Sequence, residues 1–204
     1  MKKLLLVLSV LMMSVSGIKA QEFDGGPHSF QAGISFPNAL SNFAFKEIMQ
    51  GLICLDAGYQ YALKNKVYIG GGLRYQFFTI NEFKTPNNLD GGLHIAGPYA
   101  KVGYEKYYGR IGVDYGLKTS YNINRLASTA SNYTFDAIAF EPTFGLSLTS
   151  SPTTSYRLVV SYVNYGFAFK PHMLNEEVLA GRKAEELRRG SSAFTIGFGY
   201  SLYF

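Results

Sequence analysis

Several residue types and patterns are scarce in this sequence of 204 residues. It has no tryptophan, a single cysteine (Cys54) and only 16% charged residues. A lone cysteine cannot close an internal disulfide, so the chain is not a disulfide scaffold, and a buried, apolar-like role is expected for it. Beyond the first 20 residues, no apolar run reaches the roughly 18 residues that a spanning helix needs. That absence excludes a helical membrane protein.

The amino terminus has the three parts of a secretory signal peptide. Lys2 and Lys3 form a positive start, residues 4–18 are apolar, and Ala20 stands before Gln21 as a cleavage point. The apolar run is short for a spanning helix and ends beside Lys19. We therefore predict a signal peptide over residues 1–20 and one mature domain over 21–204.

The formal charge of +5 changes meaning once this leader is removed. Three of the 19 basic residues lie within it, which leaves 16 bases against 14 acids. The mature chain is almost balanced, so the basic composition does not indicate a nucleic-acid partner.

What the sequence has is glycine and aromatic residues in alternating order. It contains 22 Gly, 16 Tyr and 16 Phe, a composition that favours β-structure. The last stretch, 191–204, places large apolar residues at every second position: Phe194, Ile196, Phe198, Tyr200, Leu202 and Phe204. Small or polar residues lie between them. One face of large apolar residues and one face of small or polar residues is the pattern of a barrel strand that faces lipid.

The same alternation predicts eight strands. We place them at residues 28–36, 51–62, 67–79, 93–104, 109–119, 133–148, 155–169 and 191–204. Pro98 predicts a bulge or frayed start in the fourth strand, and a change of phase predicts a bulge at 163–164. After that bulge, Tyr165, Phe167 and Phe169 would face outward. The connections alternate long and short, and the longest contains a short surface helix at 175–189.

An even strand count, short turns on one side and long loops on the other are the features of an outer-membrane barrel. We therefore predict an all-β fold, an eight-stranded antiparallel up-and-down transmembrane barrel, with a Greek-key sandwich as the alternative. The chain also resembles the small eight-stranded outer-membrane barrels, namely the OmpX-like group and the PorT-like barrels of Bacteroidota. That resemblance rests on the signal end at Ala20-Gln21, on Gly-aromatic strands such as 56–59, on Phe140-Glu141-Pro142 and on the terminal Tyr203-Phe204.

The resemblance implies an assembly signal and a location. Alternating large apolar residues that finish in Phe, here Tyr200, Leu202 and Phe204, resemble the signal that the barrel assembly machinery recognises. The implied location is the bacterial outer membrane, with the N-terminus periplasmic and the long loops extracellular. Outer-membrane lipids and lipopolysaccharide would then surround the protein.

An eight-stranded barrel is just wide enough inside to be filled by side chains or to hold one small ligand. Alternation points seven charged residues inward: Asp56, Arg74, Arg110, Asp114, Lys118, Glu141 and Arg157. Charges of this kind are costly against lipid and must pair within the lumen. We expect a salt-bridged plug, and a narrow polar conduit is the alternative.

Catalysis has little support in the sequence. The three histidines, His28, His94 and His172, lie outside any nucleophile motif, and no Cys/His or carboxylate cluster has metal-ligand spacing. We expect no enzyme activity, cofactor or metal. Were the protein an enzyme, His94 or His172 would be the base to test. The aromatics Tyr59, Tyr61, Tyr75, Phe77, Tyr104, Tyr115 and Tyr156 are expected to form the interface girdles, with carbohydrate stacking as the alternative.

Specificity is therefore expected in the loops. Arg182, Lys183, Arg188 and Arg189 offer contacts to lipopolysaccharide phosphates or to a protein partner, but a solvated helix is the interpretation that their pattern favours. The expected function is a structural, adhesive or surface-interaction role without chemistry. Two alternatives stand beside it, an accessory subunit of an outer-membrane secretion or uptake complex and a lipid-modifying enzyme.

Overall fold

The computed structural model describes residues 26–63, 65–81, 90–129, 132–169, 173 and 189–204. Those residues form eight strands and one short helix. In chain order the elements are β1 (His28–Ser41), α1 (Phe43–Ile48), β2 (Met49–Ala62), β3 (Val67–Ile80), β4 (Gly91–Tyr108), β5 (Ile111–Ser128), β6 (Asn132–Ser151), β7 (Thr154–Asn164) and β8 (Ser192–Tyr203).

The eight strands close into one barrel. Each strand pairs antiparallel with the next along the chain, and β8 returns to pair antiparallel with β1. Gly33 in the middle of β1 lies opposite Gly199 of β8 and Asp56 of β2. Because closure leaves no strand edge within the ring, every strand in the ring has two neighbours. The predicted eight-stranded up-and-down barrel is confirmed.

The two ends of the barrel differ. One end, here called the turn end, carries the β2–β3, β4–β5 and β6–β7 connections together with the start of β1 and the end of β8. Two of its turns use left-handed backbone, at Lys66 (φ 67°) and Gly109 (φ 66°). The opposite end, the loop end, carries the β1–β2, β3–β4, β5–β6 and β7–β8 connections.

β4, β5 and β6 extend beyond the ends that the sequence predicted. The segment 105–108, expected as a turn, continues β4 to Tyr108, and the actual turn is Gly109-Arg110. The polar stretch 120–132, expected as a loop, is mostly strand, because β5 runs to Ser128 and β6 begins at Asn132. The many polar residues of this stretch favour a loop by composition, but they keep the two-residue alternation of a strand. The predicted alternation of long and short connections is therefore wrong at β5–β6.

The first connection also differs from the prediction. Residues 37–50 were expected as a long loop, but β1 continues to Ser41 and α1 occupies most of the remainder. Asn42 caps the helix: its backbone is left-handed (φ 66°), and its side-chain oxygen accepts a hydrogen bond from the Phe45 N–H at 3.2 Å. A side-chain acceptor at this position satisfies one of the unpaired amides of the first turn.

Neither expected bulge is present at the predicted place. The β4–β5 register is the same before and after Pro98, and only the rungs at Gly97 and Pro98 are missing, consistent with the absent proline N–H. The β7–β8 register runs without a shift to Asn164, where β7 ends. Tyr165, Phe167 and Phe169 therefore keep the inward phase of Val163, and all four are buried rather than outward-facing.

Some predictions concern residues outside the described ranges. These are the signal peptide at 1–20, the Pro86-Asn87-Asn88 turn, His172, and the helix at 175–189 except for its last residue. In the described part of the chain, no helix has the length and apolar character needed to cross a membrane.

Candidate functional site

The turn-end half of the lumen holds a network of charged side chains, here called the lumen network. Six of the seven predicted residues belong to it: Asp56, Arg74, Asp114, Lys118, Glu141 and Arg157. They come from β2, β3, β5, β6 and β7, so the network joins strands on opposite sides of the barrel.

Arg74 lies at the centre of this network. Its guanidinium forms an ion pair with Glu141 and lies 3.9 Å from the Asp56 carboxylate. Both Arg74 and Glu141 are buried, at 5% and 4% exposure. Glu141 also accepts a hydrogen bond from the Ser161 hydroxyl, which is bonded in turn to Thr195. A buried pair of this kind is tolerated only when further hydrogen bonds satisfy its remaining polar atoms.

Two further ion pairs complete the predicted part of the network. Lys118 contacts Asp56, and Nη2 of Arg157 donates to Asp114 at 2.7 Å. The ring of Tyr99 lies beneath two of the cations, with the Lys118 ammonium 5.0 Å and the Arg74 guanidinium 5.9 Å from its centroid. Aromatic faces at these distances attract cations.

Arg110 does not join the network. It lies in the β4–β5 turn, is exposed, and donates from Nε and Nη2 to the Thr149 carbonyl at 3.2 and 3.1 Å. The alternation that predicted an inward side chain does not extend to Arg110, because β5 begins only at Ile111.

Two lumen residues escaped the sequence analysis, Lys101 and Glu105. Lys101 is buried, and its ammonium donates to the side-chain oxygens of Gln31 and Gln60. Glu105 accepts from Gln60 and, through its other oxygen, from Tyr107. The sequence does contain the signal: Val102 and Tyr104 have the large apolar side chains of outward positions, so the alternation places Lys101 and Glu105 on the inner face.

Glycines give the large lumen side chains their room. A methyl group added at Gly58 would lie 2.3 Å from the Tyr99 hydroxyl, and one at Gly103 or Gly116 would lie within 2.5 Å of the Tyr68 hydroxyl. Only residues without a side chain allow these phenols to cross the lumen. The Gly-aromatic alternation in the sequence therefore specifies a filled interior.

Hydrogen-bonded tyrosines close the lumen at the turn end. The hydroxyls of Tyr107 and Tyr203 are hydrogen-bonded to each other at 2.6 Å, and they lie 3.0 and 3.3 Å from the same oxygen of Glu105. Ser155 donates to the Tyr203 hydroxyl at 3.4 Å. These bonds join β4, β7 and β8 beneath the lumen network.

The loop-end half of the lumen is apolar, which the sequence analysis did not predict. Inward residues of the strands surround the buried face of α1 and the segment that follows β7; we call this cluster the apolar plug. It comprises Ala39, Ala44, Phe45, Ile48, Met49, Phe78, Ile80, Leu93, Ile95, Leu126, Ala139, Val163, Tyr165, Phe167, Phe169, Met173 and Ala193. Phe45 and Ile48 lie in the stretch that was expected as a long loop, but both are buried.

Phe45 is the centre of the apolar plug. Its ring lies 4.8 Å from Phe78, 5.6 Å from Tyr165 and 5.8 Å from Phe169, measured between centroids. Aromatic pairs at these separations add to the stability gained by burial alone. The inward phase of Tyr165 and Phe169 is what supplies these partners.

Hydrogen bonds hold α1 against the return of the chain before β8. The Ser41 hydroxyl donates to the Gly190 carbonyl at 2.6 Å, and the Asn42 amide donates to the Arg189 carbonyl at 2.8 Å. The backbone of Ser191 is bonded to both Tyr165 and Phe167. The apolar plug is thus tied to the β1–β2 and β7–β8 connections together.

The outer face of the barrel is apolar along its middle. Large exposed residues occur on all eight strands, among them Leu73 at 67% and Phe198 at 64% exposure. Five of the predicted girdle residues lie toward the turn end: Tyr59, Tyr61, Tyr104, Tyr115 and Tyr156. Tyr75 and Phe77 lie farther toward the loop end. Two separate levels of aromatics match the interface girdles of a membrane barrel.

The two described histidines lie on the outer surface. The His94 ring stacks on Phe77 with centroids 4.7 Å apart and is hydrogen-bonded to the Tyr75 hydroxyl at 2.8 Å. His28 contacts the Tyr59 hydroxyl and stacks on the ring of Phe204. Both positions therefore belong to the aromatic surface. Among the described residues there is no group of three or more His, Cys, Asp or Glu that could hold a metal ion.

The remaining predicted residues divide between the end of the chain and the loop. Tyr200, Leu202 and Phe204 are exposed on the outer face, with Tyr200 and Leu202 in β8. Arg189 lies within the described residues and is exposed, and its backbone carbonyl accepts a hydrogen bond from the Asn42 side chain. Arg182, Lys183 and Arg188 lie outside the described residues.

No family model matches the chain, and no curated protein matches it. Structural comparison finds small outer-membrane barrels. Neisserial surface protein A (NspA) is 14% identical, with a TM-score of 0.58 over 88% of this chain and 99% of that one.

Two further barrels match over a similar extent. Ail, the attachment invasion locus protein of Yersinia pestis solved with the heparin analogue sucrose octasulfate, is 12% identical, with a TM-score of 0.52 over 87% of this chain and 97% of that one. OprG from Pseudomonas aeruginosa is 12% identical, with a TM-score of 0.52 over 88% and 98%. At this identity the likeness is one of fold: the chain has the eight-stranded barrel architecture of NspA, Ail and OprG.

Proposed function

We propose that the protein is an integral barrel of the bacterial outer membrane, without enzyme activity, that acts through the surface at its loop end. Its role is structural, adhesive or one of surface interaction. Membership of the OmpX-like or PorT-like group, expected from the sequence, is part of this proposal.

One observation carries the proposal: the barrel is filled inside and apolar outside. The lumen network and the apolar plug occupy successive levels of the lumen, and large apolar residues cover the outer face. A soluble protein hides its large apolar residues, whereas a barrel in lipid presents them to the acyl chains. A filled lumen leaves little room for passage of solutes, so binding is left to the surfaces beyond the membrane.

The same distribution supports an orientation. Short turns lie at the end where β1 begins and β8 ends, as expected for the periplasmic side of a single-chain barrel. The loop end, with α1 and the β7–β8 connection, would then face the outside. NspA is described as a surface protein and Ail as an attachment and invasion protein, and a role of that class is our proposal for this chain.

Outward aromatics near the end of β8 support recognition by the barrel assembly machinery. Tyr200, Leu202 and Phe204 present their side chains on the outer face, where a partner could bind them before the barrel closes. Lipopolysaccharide would contact the loop-end rim, and the basic residues of the last connection remain candidates for that contact or for a protein partner.

Membrane fractionation of a Gram-negative host that expresses the protein tests this function. We expect the protein in the outer-membrane fraction, migrating faster on an unheated gel than after boiling because the folded barrel resists detergent. Recovery in the soluble or inner-membrane fraction would contradict the proposal. Purification in mild detergent then separates the roles: a solitary band supports a self-sufficient surface barrel, and a stoichiometric companion indicates a subunit of a larger complex.

A further inference from the structure

Side chains of the lumen network line a cavity of about 60 Å³. One wall of the cavity consists of small residues at inward positions of β1 and β8, including Gly33, Ser35, Gly197 and Gly199. A methyl group at Gly33 would meet the Phe198 carbonyl at 3.4 Å and the Asp56 carboxylate at 3.7 Å, which are tolerable contacts. A volume of about 60 Å³ has room for a small ion or about two water molecules.

The side chains around this cavity are mainly cationic. Arg74, Lys101, Lys118 and Arg157 line it, against two carboxylates, Asp56 and Glu141. Each of those carboxylates already has a cation, because Arg74 contacts both and Lys118 contacts Asp56. Arg157 has its own partner in Asp114.

Of the four cations that line the cavity, Lys101 is the one that forms no ion pair with a described carboxylate. Its ammonium donates to Gln31 Oε1 and, at 2.8 Å, to Gln60 Oε1, and it lies 5.3 Å from the centroid of the Tyr68 ring. The remaining lumen acid, Glu105, accepts from Gln60 Nε2 at 3.1 Å, so it reaches Lys101 through an amide. Lys101 is only 8% exposed, and a buried charge that lacks an ionic partner is strongly unfavourable.

Two more donors, on residues that line the cavity, have no hydrogen-bond partner. The Nε atoms of Arg74 and Arg157 are buried and make no hydrogen bond within the described part of the chain. Both residues line the cavity. Buried N–H groups are almost always satisfied by protein, water or a bound ligand.

We propose that the cavity is a binding site for a small inorganic monovalent anion such as chloride, with Lys101 as its main counter-charge. An anion supplies the negative charge that is missing beside the lysine, and Arg74 and Arg157 line the same cavity and add to its positive field. Water would supply no charge. The site joins Lys101 of β4, Arg74 of β3 and Arg157 of β7, so a bound anion would stabilise the closed barrel.

The inference rests on the proposed function only in requiring the folded barrel in lipid. The purified protein is folded into zwitterionic phosphatidylcholine vesicles, and the chain is unfolded with urea while chloride is exchanged for gluconate at constant ionic strength. Gluconate is too large for the cavity. The unheated gel mobility reports the folded fraction, so failure to form a barrel at all is distinguishable from a lack of anion dependence.

For the unaltered protein we expect the unfolded-to-folded ratio to fall with rising chloride, by up to tenfold for each tenfold increase once the site is saturated. K101Q removes the counter-charge and should abolish the dependence. Gly33→Ala narrows the cavity while keeping Lys101, and should weaken the dependence even if K101Q does not fold. Arg125→Gln is the matched control, because Arg125 is an exposed cation of β5 whose alternation places it on the outer face, away from the lumen.

Two results would overturn the proposal. Equal stability of the unaltered protein in chloride and gluconate would mean that the cavity holds water alone. A chloride dependence that survives in both K101Q and Gly33→Ala, as it should in Arg125→Gln, would assign the effect to the salt in general rather than to this site.

Discussion

The ring of Phe45 is stacked on the ring of Phe169, with centroids 5.8 Å apart and planes 24° from parallel. The two residues belong to different connections of the loop end, α1 and the segment after β7. Their contact joins both connections inside the barrel mouth. The apolar plug is therefore a small hydrophobic core in its own right, at the end from which we expect the protein to act.

Phe45→Ala tests the contribution of that core. Removing a fully buried phenylalanine costs about 3–5 kcal/mol of stability when the surroundings cannot collapse into the space. We expect a clear decrease in the urea midpoint in vesicles, measured by gel mobility or tyrosine fluorescence. Lys46→Ala, an exposed position on the same helix, should leave the midpoint nearly unchanged. Equal effects of the two substitutions would mean that α1 does not pack inside the barrel.

The Arg74–Glu141 pair allows a double-mutant test of the lumen network. Arg74→Met leaves the Glu141 carboxylate buried without its main cation, and such losses cost about 3–5 kcal/mol. Replacing both residues with methionine should recover much of that loss, because no charge remains unpaired. Additive losses in the urea unfolding of the three variants would argue against direct coupling. Arg110→Gln, at the exposed turn, should cost about 1 kcal/mol or less.

Leu73 tests whether the outer face contacts lipid. It lies mid-strand in β3, opposite Ala57 and Pro98, and is highly exposed. An arginine near the bilayer midplane costs roughly 2–4 kcal/mol, falling to about 0–1 kcal/mol near the interfaces. We expect Leu73→Arg to be destabilising in vesicles and Arg125→Leu, near the loop end, to have a small effect. An unchanged stability of Leu73→Arg in vesicles would show that this face does not lie in the hydrocarbon of the bilayer.

Cysteine labelling of intact cells tests the orientation. In a Cys54→Ala background, Thr129→Cys places a thiol at the loop end and Asn65→Cys places one at the turn end. A membrane-impermeant maleimide should label the first and spare the second until the outer membrane is broken. The reverse pattern would invert the proposed topology and move the binding surface to the turns.

Much of the fold could be predicted because the lipid solvent imposes a simple rule. Outward positions are large and apolar and inward positions are small or polar, so the alternation in stretches such as 191–204 gives both the strands and their facing. The strand ends were harder to predict. Asn122 and Asn124 look like loop residues but face inward in β5, where both are buried.

The interior was predictable only in part. Charged residues must face the lumen, and Arg74, Asp114 and Glu141 are indeed buried on the inner side of their strands. Lys101 was missed because Pro98 made β4 look interrupted. The apolar plug was missed for another reason: a lumen closed by an inserted helix reverses the usual polarity of a barrel interior, and alternation cannot tell a loop phenylalanine that folds inward from one that faces lipid or solvent.

The central claim is that the lumen is closed by two successive layers of side chains, and conductance tests it most directly. The purified protein, folded and reconstituted in a planar lipid bilayer, should show no stable single-channel openings at moderate voltage. Phe45→Ala should remain silent as well, because the lumen network still fills the turn-end half. Regular openings of the unaltered protein would contradict the account and make the barrel a channel.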